Sequence, residues 1–88
     1  MAALRKNSNW EDLPIPSIGD IVHLHYEDVF SKLLKIKVIG IENSAYTGLV
    51  EAIFELKTST PVVVCEDLRV GQPVNFGREL IHHVIQKA

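Results

Sequence analysis

Leu33-Leu34-Lys35-Ile36-Lys37-Val38-Ile39-Gly40-Ile41, followed across a polar stretch by Gly48-Leu49-Val50-Glu51-Ala52-Ile53-Phe54-Glu55-Leu56, decides the fold class. The first segment is rich in β-branched side chains and sets Lys35 and Lys37 alternately against Leu34, Ile36 and Val38, the period of two that a half-buried strand requires. The second repeats that period, with Val50, Ala52, Phe54 and Leu56 on one side and Leu49, Glu51, Ile53 and Glu55 on the other. Residues 42–47 between them are polar, so the two strands read as a hairpin. Antiparallel pairing then sets Lys35 and Lys37 beside Glu51 and Glu55 in any even register, where opposite charges favour the match.

Working outward, Gly19-Asp20 is a turn signal, and Ile21 to Tyr26 alternates again, with Val22, Leu24 and Tyr26 opposite Ile21, His23 and His25. Residues 1–17 form an extended N-terminal arm, partly flexible, because Pro14 and Pro16 hold their neighbours out of the helical region. Ser8 or Asn9 caps one turn through Trp10, Glu11 and Asp12. On the other side, Pro61 opens a short strand, Val62 to Cys65, and Val70-Gly71-Gln72-Pro73 is a turn before Val74-Asn75-Phe76. Leu80, Ile81, Val84 and Ile85 have helical spacing, but Ile81 to Ile85 also reads as a strand. The preferred reading is a tight turn at Arg78 to Leu80 and a closing strand; a short C-terminal helix is the runner-up. Residues 18–88 are thus one small all-β domain of five to six short strands.

At 88 residues there is room for one core only. With 47% hydrophobic and 23% charged residues the chain should fold, and a net charge of −2 supplies no field for phosphate backbones. Arg5 and Lys6 are followed by Asn7, Ser8 and Asn9 instead of an apolar run, so no signal peptide is expected. Charges interrupt every greasy window, so neither is a spanning helix. Cys65 is the lone cysteine, which excludes an internal disulfide and fits a cytoplasmic setting.

Glycine turns leading into short strands at Gly19-Asp20-Ile21-Val22 and Val70-Gly71-Gln72-Pro73-Val74, a long central hairpin, and a tight turn before Ile81-His82-His83-Val84 together resemble the small SH3-like barrels. The resemblance spans about residues 18–86 and implies topology only. Closure would remove exposed strand edges. The expected interior is Val22, Leu24, Leu34, Ile36, Val38, Val50, Ala52, Phe54, Val74 and Phe76. That leaves Ile39, Ile41, Leu49 and Ile53 as an outer apolar patch needing a cover: the arm with Leu4, Trp10, Leu13 and Ile15, a second copy of the chain, or another protein.

His23 and His25 share a strand face, and if the first and last strands lie side by side, His82 or His83 joins them as nitrogen ligands for zinc or nickel. Solvated strand histidines are common, however, so these are weak metal candidates, and no cofactor is expected. The same residues could respond to pH. Cys65 with Asp67 nearby has the residue types of a nucleophile and base, yet a thiol ending an apolar strand is ordinarily inert. No GxSxG, P-loop, HExxH or GxGxxG pattern occurs, so no enzyme is expected. Lys32, Lys35 and Lys37 with Tyr26, Phe30 and Tyr46 could form a nucleic-acid surface, disfavoured by Glu51, Glu55 and the net charge.

The reading this supports is a non-catalytic small β-barrel that works by protein–protein contact, including self-association, through Trp10, Ile39, Ile41, Leu49 and Ile53. Nucleic-acid binding through Lys32, Lys35 and Lys37 is the alternative, and a histidine metal site the second. No membrane partner is expected.

Overall fold

The computed structural model describes residues 3–27, 31–43, 45–58, 60–62, 64–65 and 68–86. Among these described residues nine strands follow in chain order: β1 (Ala3–Leu4), β2 (Ile21–Glu27), β3 (Lys32–Glu42), β4 (Ala45–Glu55), β5 (Thr60–Val62), β6 (Val64–Cys65), β7 (Leu68–Arg69), β8 (Pro73–Gly77) and β9 (Ile81–Ile85). Single 3-10 turns occupy Trp10–Asp12 and Arg78–Leu80, and no α-helix occurs among the described residues. The chain is therefore all-β, and the closing-strand reading of residues 81–85 holds over the helical one.

The main sheet is antiparallel throughout. β2, β3 and β4 form its centre; β9 and β1 share the outer edge of β2, while β8 and β5 share the outer edge of β4. β6 and β7 form a separate two-stranded ribbon, so the run expected as one strand from Val62 to Cys65 is divided between two sheets. The sheet is not closed into a barrel: β8 pairs β4 and β9 pairs β2, with no ladder between β8 and β9 among the described strands. The leader is tied to the turn that joins them. Asn7 donates its backbone N–H to the Glu79 carbonyl at 2.8 Å and its side-chain amide to the Ile81 carbonyl at 3.1 Å.

The central hairpin is longer than the alternation suggests. Glu42 faces Ala45, leaving a two-residue connection whose first residue, Asn43, has φ 49°, the left-handed conformation that tight hairpins favour and asparagine tolerates. Tyr46, expected in a polar loop, is therefore inside, stacked on Phe76 with centroids 5.6 Å apart. The core consists of Val22, Leu24, Leu34, Ile36, Val38, Tyr46, Val50, Ile53, Phe76, Ile81 and Val84, with Leu4, Leu13, Tyr26, Leu68, Val74 and Leu80 packed against it.

Among the described residues, three bulges decide which face several side chains occupy. Lys35 faces Ala52 but Ile36 faces Val50, so Glu51 stands outside the ladder; Ile39 is the extra residue between Val38 and Gly40; His82 is the extra residue in β9. A bulge sets two residues against one and reverses the alternation beyond it. Past Glu51 the inward positions thus move from even to odd numbers. Ile53 enters the core at 1% exposure, while Ala52 and Phe54, expected inside, are only half-buried. The expected Lys–Glu pairing is displaced by the same bulge: Lys37 faces Leu49, Lys35 faces Ala52 with its ammonium over the Phe54 ring, and Glu55 faces Lys32.

Two glycine turns anchor this hairpin in the same way. Asp20 N–H bonds to the Ser17 carbonyl and Gln72 N–H to the Arg69 carbonyl. Gly19 and Gly71 sit at φ 98° and 92°, and neither Ile18 nor Val70 has a positive φ, which together mark type II turns. In each, the fourth residue's side chain returns to the first residue's N–H: Asp20 Oδ2 accepts from Ser17 at 2.8 Å and Gln72 Oε1 from Arg69 at 3.0 Å. Each also exchanges two backbone hydrogen bonds with a core valine, Gly19 and Asp20 with Val38, Gly71 and Gln72 with Val50. Ile18 and Val70 are left outside at the turn tips.

Candidate functional site

β2 and β9 bring all four histidines onto the outer face of the sheet. His23 lies directly opposite His83, with ring centroids 5.2 Å apart and planes at 49°. His25 stacks on His82 at 3.9 Å with planes 6° apart. Consecutive residues of a regular strand point to opposite faces. The bulge at His82 cancels that alternation, so both histidines of β9 meet both of β2. The proximity of first and last strands was readable in the sequence, but the bulge was not.

The two pairs differ chemically. His82 donates from Nε2 to the Arg5 carbonyl at 2.9 Å, and Arg5 N–H donates to the His25 carbonyl at 2.8 Å, so the stacked pair holds the leader against β2. An ion pair between Arg5 and Glu27 at 3.1 Å continues that seam. Burial, then the neighbouring His82 and Arg5, lower the His25 pKa, with Glu27 opposing. His23 is lowered first by burial and then by His83, Lys35 and His25. Its Nε2 is buried without a hydrogen-bond partner among the described residues. No three His, Cys, Asp or Glu side chains among the described residues are arranged around one ion, so the four histidines are not a single ligand set.

The expected apolar surface is redistributed. Ile53 is inside the core and Leu49, half-buried, pairs with Lys37 on the histidine-bearing face. Ile39 and Ile41 remain at the distal end of the hairpin, 42% and 43% exposed. The backbone pairing of Gly19 and Asp20 with Val38 brings Ile18, 65% exposed, beside that end. Trp10 is elsewhere: the Arg78 guanidinium lies 5.1 Å from its ring centre and donates to the Leu13 carbonyl at 2.9 Å. Among the described residues the leader's hydrogen bonds thus run to Arg78, Glu79, Ile81 and β2.

Lys35 and Lys37 share the outer face, but the regular β2–β3 register places Lys32 on the opposite one, and Tyr46 is buried. Phe30 and Asp67 lie outside the described residues, as does the side chain of Cys65. Among the described residues there is no enclosed cavity, and no helix is long and apolar enough to cross a membrane. Comparison with known proteins returns no family model, no curated protein and no solved structure that matches the chain.

Proposed function

We propose that this chain is a non-catalytic binding domain with an SH3-like strand path, left open between β8 and β9, that acts by protein–protein contact, with a second copy of itself as the simplest partner. The strand sequence β9-β2-β3-β4-β8 and the 3-10 turn joining β8 to β9 support the SH3-like reading. The observation that carries the contact reading is the exposure of Ile18, Ile39 and Ile41 around the distal end of the hairpin. Large β-branched side chains held outside by a turn and a bulge mark an apolar surface suited to an interface. Cys65 as a lone cysteine favours a reducing, cytoplasmic setting.

Sedimentation over a wide concentration range tests this reading. Self-association gives a mass that rises with concentration and falls back to monomer in the Ile39→Glu, Ile41→Glu double variant, both sites being on the surface. A monomer at every concentration removes the self-contact. An unchanged association in the double variant moves the interface to another face.

A further inference from the structure

We propose that His23 and His83 form a two-nitrogen site for a divalent transition-metal ion of the Zn2+ class, with water completing the coordination. This goes beyond the apolar end of the hairpin, which lies on other residues. The two imidazoles are cross-strand partners, so their Cβ atoms are held at a fixed spacing by the β2–β9 ladder. With about 2.0–2.1 Å from each nitrogen to the ion, two imidazoles on one tetrahedral centre have ring centroids about 5 Å apart. The observed separation is 5.2 Å. The neighbouring pair is unsuited to the task, because rings stacked face to face at 3.9 Å aim their in-plane lone pairs alongside each other and not at a shared point. His82 is also committed to the Arg5 carbonyl.

A second, independent observation concerns His23 itself. Its Nε2 is buried and has no hydrogen-bond partner among the described residues, and an unmade hydrogen bond at a buried polar atom is a standing cost that a ligand can relieve. An ion held between this nitrogen and exposed His83 would satisfy it. Neutral imidazole is the ligating form, and it suits zinc, copper and nickel better than calcium or magnesium. The facing cation, Lys35, has its ammonium over Phe54 on the β4 side. Burial first, then His83, Lys35 and His25, lower the His23 pKa.

The test is a Zn2+ titration of the full chain at pH 7.5, following the ring resonances of all four histidines, with His83→Ala and His82→Ala variants alongside. His83 is exposed, so its removal leaves the fold in place, which the backbone amide spectrum verifies. The expected result is one equivalent of ion, saturable shifts concentrated on His23 and His83, loss of at least tenfold in affinity in His83→Ala, and retained binding in His82→Ala. Shifts spread equally over the four rings, or binding undiminished in His83→Ala, would overturn the site, as would the absence of any saturable shift. Sedimentation of the Ile39→Glu, Ile41→Glu variant with and without Zn2+ separates this result from the fate of the hairpin-end interface.

Discussion

Ile53 and Phe54 are adjacent in the chain and lie on opposite faces of β4, with the smaller side chain inside. Ile53 is fully buried in the core, and Phe54 lies on the outer face beneath the Lys35 ammonium. The bulge at Glu51 produces this order, against what uninterrupted alternation dictates.

Truncation should therefore cost more at the isoleucine. Ile53→Ala removes a buried branched side chain from a packed site and should destabilise by about 2–5 kcal/mol. Phe54→Ala loses half-buried area and a cation–π contact, and should cost less than half as much. Urea unfolding of the two variants is the measurement; a larger loss at Phe54 would place the phenyl ring in the core after all.

Gly48 occupies a second decisive position in β4. A methyl group there would collide with the Ile36 side chain and come within 2.9 Å of the Lys37 carbonyl and 3.3 Å of the Phe76 ring. Gly48→Ala should lower stability by about 1–3 kcal/mol, the usual cost of overpacking a core. Gly77→Ala is the control, since the atoms nearest its new methyl are those of the Glu79 carboxyl group, the far end of a flexible side chain. Thermal melts should separate the two, and equal midpoints would show that the β3–β4–β8 layer yields more readily than its packing indicates.

Acid should weaken the fold through His23 and His25. Both have folded-state pKa values below the ordinary 6.5, so the unfolded chain takes up protons first as pH falls. Their contribution is full above about 6.5 and is lost as pH drops from there through their lowered folded values. His83 and Lys35 around His23, and His82 and Arg5 around His25, oppose the added charge, while Glu27 tempers it at His25. Denaturant midpoints between pH 8 and 5 should fall on acidification, and fall less in the His23→Gln, His25→Gln double variant. A flat profile, or one rising toward acid, would mean that the imidazoles are not desolvated.

Much of this architecture is legible in the sequence because its causes are local. The alternation of Ile21 to Tyr26 and Leu33 to Ile41, the turns at Gly19 and Gly71 and the tight connection at Arg78 follow from side-chain period and glycine stereochemistry. The meeting of His23 with His83 follows from pairing the first long strand with the last. Residues 39, 51 and 82 defeat the same reasoning, because a bulge depends on how two strands count against each other and leaves no mark on either alone. Ile53, Phe54, Tyr46 and the Lys35–Glu51 pairing were each misplaced for this reason or through the shortened hairpin connection. The place of Trp10 beside Arg78 is not legible in the sequence, because the two are joined only by tertiary packing.

The paired clasps at Val38 and Val50 have a consequence for how faithfully the hairpin assembles. Each long strand is gripped from outside by a turn belonging to a distant part of the chain, so sliding one strand past the other by a residue would tear both grips as well as the ladder between them. Proofreading of the alignment is thus delegated to two remote glycines, Gly19 and Gly71. The tip between Glu42 and Ala45 is released from that duty and can absorb inserted residues without disturbing the sheet behind it.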